Sequence, residues 1–155
     1  MMATFRQTKP EDIKPLAENL RKADIEELAA STGLTPEVAL RLSVSVSEEA
    51  NTIVLEDGTV VGIFGLSHMS DTVGCPWLVG TDLLPTIRTA FLRGSKAWIE
   101  EKNEEYPVLT NYVHAKNETA IQWLRFLGFN FINLIEEHGV GKEPFYEFVR
   151  IKQDV

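Results

Sequence analysis

The chain has 155 residues, of which 44% are hydrophobic, and a formal net charge of −8. That length is one ordinary domain, spanning 1–155, with enough apolar residues for a core without staples. The acidic balance argues against coating nucleic acid, which needs a basic face, and no apolar run approaches the length of a membrane span.

The opening MMATFRQTKPED holds no apolar signal core. Thr4 to Thr8 reads as a first strand. Lys9-Pro10-Glu11-Asp12 opens a helix, because proline is pre-set for a first turn and acids there suit the helix dipole. The helix runs from about Glu11 to Arg21, with Ile13, Leu16, Ala17 and Leu20 on one side. Asp24 is placed to cap a second helix, Ile25 to Ser31, which Gly33 ends. Thr35-Pro36-Glu37 starts a third helical piece, Val38 to about Val46.

Thr52 to Glu56 and Thr59 to Leu66 form a hairpin about Asp57-Gly58, a turn pair between two β-rich runs. A polar loop, Met69 to Gly74, leads to a strand over Pro76 to Thr81. The lone cysteine, Cys75, cannot form an internal disulfide, which favours a cytoplasmic or otherwise reducing setting. It reads as a small buried hydrophobe or as a reactive thiol. Pro85 to Glu101 is a long helix burying Ile87, Phe91, Ala97 and Trp98, and Gly94 at its middle implies close packing against the sheet. Glu100 to Glu105 is a solvated acidic end.

Leu109 to Phe131 then reads as strand, cap, helix, stop and strand. Asn117 sits at an N-cap, Ala120, Ile121, Trp123, Leu124 and Leu127 form an apolar stripe, and Gly128 closes the helix. Phe129 to Glu136 and Phe145 to Ile151 make a last hairpin around the loop His138 to Glu143. The resulting order β, α, α, β, β, β, α, β, α, β, β indicates α+β or α/β layers.

Asn117-Glu118-Thr119-Ala120-Ile121, Trp123-Leu124 and Leu127-Gly128-Phe129 together resemble the N-x-x-A-I-x-x-x-x-x-x-G-F segment of the GNAT superfamily of N-acetyltransferases. The element order is similar to that superfamily over essentially the whole chain. More narrowly, Gly74 to Asp82, Arg88 to Trp98 and Asn111-Tyr112-Val113 resemble small GNAT-like proteins of short-tailed phages associated with virion assembly. The resemblance implies an α+β fold in α/β/α layers, with a mixed, mostly antiparallel sheet whose fourth and fifth strands splay near Gly80 and Val113. It also implies acetyl-CoA as cofactor, an amine as acceptor, and a cofactor slot at Gly80, Thr81, Thr86, Arg88, Val113 and Asn117.

Acetyl transfer needs aimed N–H groups for the pyrophosphate, a base for the amine and a donor for the leaving thiolate. Aligned on Ala90-Phe91-Leu92, the family's Q/R-x-x-G-x-G/A loop puts Leu83 on the Gln/Arg position and Thr86 and Arg88 on the small-residue positions. Arg88 or Arg93 is left to supply positive charge. Leu124 stands where the family carries its proton-donating Tyr. Tyr112 and His114 are the candidate catalytic residues, with His68 as a further base; Glu26 and Glu27 read as a solvated helix face. No His, Cys and Asp spacing suggests a metal. Two functions remain open: an acetyl-CoA-dependent N-acetyltransferase, and a non-catalytic phage-type virion assembly or interaction protein with virion or other protein partners.

Overall fold

The computed structural model describes residues 3–153. Its strands are β1 Ala3–Gln7, β2 Glu49–Leu55, β3 Val60–His68, β4 Val73–Gly80, β5 Val108–His114, β6 Asn130–His138 and β7 Glu143–Ile151. Its helices are α1 Ile13–Glu18, α2 Lys22–Thr32, α3 Pro36–Val46, α4 Arg88–Glu105 and α5 Glu118–Phe126. Short 3-10 turns at Pro10–Asp12 and Leu84–Ile87 lead into α1 and α4.

The strands form one sheet in the order β1-β2-β3-β4-β5-β7-β6, antiparallel except for β4 beside β5. Phe91 and Leu92 of α4 and Trp123 of α5 pack with Ile53 and Phe64 on one face. Ile13, Leu16 and Leu40 of α1 and α3 pack with Ile63 and Val79 on the other. The α/β/α layering follows from these two apolar faces, each covered by helices.

Local chemistry accounts for the turns. Gly58, at φ 88°, closes the β2–β3 hairpin, and Asp57 Oδ1 accepts from Thr59 N–H at 2.9 Å. Gly128, at φ 90°, follows α5 in the left-handed conformation that suits a residue without Cβ. At Gly94 a Cβ would come within 2.7 Å of the Phe5 ring, which is the close packing its place in mid-helix implies.

Some elements differ from the sequence expectation. Three helices follow β1, as the three helical stretches imply, where the condensed element order counts two. The first helix stops at Glu18, because Leu20 bridges to Thr81 and Arg21 N–H bonds to Gly80 C=O at 2.9 Å. Asp24 lies inside α2 rather than capping it, with its carboxylate turned inward. β4 begins at Val73, inside the expected loop. Ala97 is exposed, and Ile99 takes the buried place. The acidic end of α4 is only partly solvated: Asn103 and Lys102 are buried, and Lys102 Nζ pairs with Glu49 at 2.7 Å.

Candidate functional site in the splay between two parallel strands

β4 and β5 pair only at their starts, Val73 with Val108 and Gly74 with Leu109. Beyond that they diverge, as the resemblance implies. Asn111 Nδ2 spans the opening to donate to Pro76 C=O at 2.9 Å. A cavity of about 300 Å³ occupies the splay, at the small end of ligand pockets. Trp77 and Val79 of β4, Tyr112 and Val113 of β5, and Trp123 and Leu124 of α5 contribute to its walls.

Diverging strands leave backbone donors without a neighbouring strand, and a buried unpaired donor is costly. Here α2 supplies the partners. Asp24 Oδ2 accepts from Gly80 N–H at 2.9 Å, and Glu27 Oε1 accepts from His114 N–H at 2.8 Å. Arg21, Asp24 and Asn117 are buried around them. Arg21 donates to Asn117 Oδ1 at 3.1 Å, lies 3.7 Å from Asp24 Oδ1, and stacks its guanidinium 5.0 Å from the Trp123 ring centre. Asn117 Nδ2 donates to Glu27 Oε1 at 3.3 Å, while its Oδ1 also caps α5 by accepting from Ala120 N–H at 3.4 Å.

The electrostatics follow from this enclosure. Burial pushes the Glu27 carboxyl from 4.5 up to about 7, against the bond from His114 N–H, and the nearby Asp24 adds to the rise. Burial also raises Asp24, with Arg21 and the Gly80 bond pulling the other way. Two acids three residues apart on one helix turn thus share the splay with one guanidinium.

The expected site residues divide. Val113, Asn117 and Tyr112 line the cavity. Gly80 meets it through Asp24, with its N–H and C=O both taken by α2. Thr81 is buried, and its N–H bonds to Val61 C=O at 2.8 Å. Thr86 and Arg88 are exposed at the start of α4 and do not line the splay. Tyr112 is 38% exposed and stacks on His138 at 4.4 Å. His114 turns its buried ring away to Glu143, with Nε2 2.8 Å from Oε1. His68 sits at the far, paired end of β4, its Nδ1 2.9 Å from the Tyr106 hydroxyl. Cys75 is half-buried, and burial pushes its thiol up, away from reactive thiolate character.

Arg21, Asp24 and Glu27 were not legible as site residues. Glu27 is not on a solvated face; Glu26 is. A signal was available: these three recur every third position on one face, while Ile25 between them is 42% exposed, the reverse of an ordinary amphipathic helix. Leu124 is half-buried and not a full core residue, unlike Trp123 and Leu127.

A sheet opened between its fourth and fifth strands, with α5 capped beside the opening, is the geometry that decides the architecture. The chain has the GNAT fold. It is similar to Ard1 from Thermoplasma volcanium at TM-score 0.75 and 20% identity, over 99% of this chain and 100% of that one. It is similar to a GCN5-related N-acetyltransferase from Kribbella flavida at TM-score 0.69 and 16% identity, over 97% and 98%. It is also similar to a GNAT phosphinothricin acetyltransferase from Sinorhizobium meliloti solved in complex with AcCoA, at TM-score 0.67 and 16% identity, over 97% and 89%. No protein-family model matches the sequence, and no curated protein matches it. Likeness at these identities establishes the GNAT fold, and the site must carry the function. No helix is long and apolar enough to cross a membrane among the described residues.

Proposed function

We propose that this protein is a non-catalytic GNAT-fold interaction protein, of the kind that its resemblance to the virion assembly proteins of short-tailed phages implies. One observation carries the reading. Two backbone donors at the splayed ends of β4 and β5, Gly80 N–H and His114 N–H, are already bonded to the chain's own Asp24 and Glu27. A pantetheine arm pairs with backbone in such a splay, and Gly80 offers neither N–H nor C=O for it. At the pyrophosphate loop, Thr86 and Arg88 bring Cβ atoms where close backbone approach needs small residues. The residues as they stand do not fit acetyl-CoA, and no catalytic step is drawn through it.

A second reading, acetyl transfer to an amine, is favoured by Glu27. A carboxylate poised near 7 beside the cavity suits accepting a proton from an amine at neutral pH. That reading requires Asp24 and Glu27 to release Gly80 and His114 to a cofactor. Melting the protein with and without acetyl-CoA separates the two, because a ligand that binds only the native state raises Tm. The expected result is an unchanged Tm at about 1 mM acetyl-CoA; a gain of several degrees overturns the non-catalytic reading.

A further inference from the structure

The exposed face of α4 is divided by charge. Arg88, Arg93 and Lys96 stand on its N-terminal half, and Glu100, Glu101 and Glu105 on its C-terminal half. This runs against the helix dipole, which favours acids at the N-terminus and bases at the C-terminus. The first turn holds no acid, and the one base in the last turn, Lys102, is buried and already paired with Glu49 at 2.7 Å and Glu105 at 3.2 Å. Arg88 and Arg93 have no ion pair or hydrogen bond within the chain among the described residues, and neither do Glu100 and Glu101. In an acidic protein, a set of unpaired arginines beside unpaired glutamates on one helix is an arrangement that wants a complementary surface.

We propose that the complement is a second copy of this chain, with α4 packed antiparallel on α4 about a two-fold axis. A dyad between Lys96 and Ala97 sets Arg93 opposite Glu100 of the second copy, twice by symmetry. The two helix dipoles then oppose, so the positive half of each helix faces the negative half of the other. Ala90 and Ala97, exposed and seven residues apart, keep the shared face low. Phe126 of α5, 53% exposed, lies at this centre: Lys96 Nζ is 5.8 Å from its ring, and both border the groove between α4 and α5. An aromatic anchor beside the axis, ringed by charge pairs, is the composition of an interface core with a polar rim.

Sedimentation velocity at low salt tests this by charge exchange. Wild type should sediment as a dimer of the 17.4 kDa chain at about 100 µM and dissociate as salt screens the pairs. Arg93→Glu and Glu100→Arg should each weaken the dimer by about tenfold or more, since each opposes like charges twice. The double variant Arg93→Glu/Glu100→Arg should restore it to within about threefold of wild type. Both positions of change, Arg93 and Glu100, are exposed, and circular dichroism verifies that each variant keeps wild-type helix content. A monomeric wild type overturns the proposal, as does a double variant no better than the singles. A wild type that stays monomeric but binds heparin through Arg93 reassigns the face to a polyanion and overturns it equally.

Discussion

The two ends of the β4–β5 pair face the same problem and solve it differently. At the start, Val73 and Gly74 meet Val108 and Leu109, and backbone satisfies backbone. At the other end the strands part, and carboxylates from α2 satisfy Gly80 and His114 instead. The first solution is closed and apolar, with Leu109 and Leu66 fully buried beside it. The second is polar, titratable and open to exchange, since a side-chain acceptor can be traded for another acceptor. The comparison teaches that a splayed sheet is not by itself a binding site. What matters is whether the freed backbone groups are still free.

The largest effect should come from emptying the closed end. Leu109→Ala is expected to cost about 2–5 kcal/mol in denaturant unfolding, the range for a packed buried leucine. A cost under about 1 kcal/mol would show that this end is not the rigid one.

The polar end should respond to pH. Glu27 binds its proton more tightly in the folded state, at about 7, than in the unfolded chain, near 4.5. The stability from that difference is present below the unfolded value and is lost as pH rises through about 7. At roughly 1.4 kcal/mol per pKa unit the loss is on the order of 3 kcal/mol. Glu27→Gln keeps an acceptor for His114 and Asn117 but cannot ionise. The variant should therefore exceed wild type in stability at about pH 8, with little difference near pH 4. Equal pH dependence in both proteins would remove Glu27 as the cause.

Removing the other carboxylate sharpens the contrast. Asp24→Ala orphans Gly80 N–H and should cost about 1–3 kcal/mol, the penalty of a buried unsatisfied donor. Calorimetric unfolding reads this directly. The smallest effect belongs to Arg88→Ala, which removes an exposed side chain outside the splay and should change monomer stability by no more than about 0.5 kcal/mol.

Much of the fold was legible because its signals are local and physical. Asn117, the apolar stripe behind it and Gly128 mark α5 through capping, periodicity and a left-handed stop. Asp57-Gly58 marks the β2–β3 hairpin in the same way. The site was less legible because its decisive bonds join residues 56 and 87 positions apart, Asp24 with Gly80 and Glu27 with His114. Asp24 also satisfied a plausible local role as a cap, and an acid that suits two roles is assigned the nearer one. The early stop of α1 has the same origin, since only the tertiary bridge from Leu20 to Thr81 draws the chain out of the helix.

Amide hydrogen exchange at Gly80 and His114, followed by NMR with and without acetyl-CoA, tests the central claim most directly. If Asp24 and Glu27 hold the splay, both amides are protected in the free protein although neither has a partner from the facing strand, and acetyl-CoA leaves their rates unchanged. Amides that exchange at the rate of an open loop in the free protein and become protected on adding acetyl-CoA would contradict it, and would show the slot waiting for its cofactor.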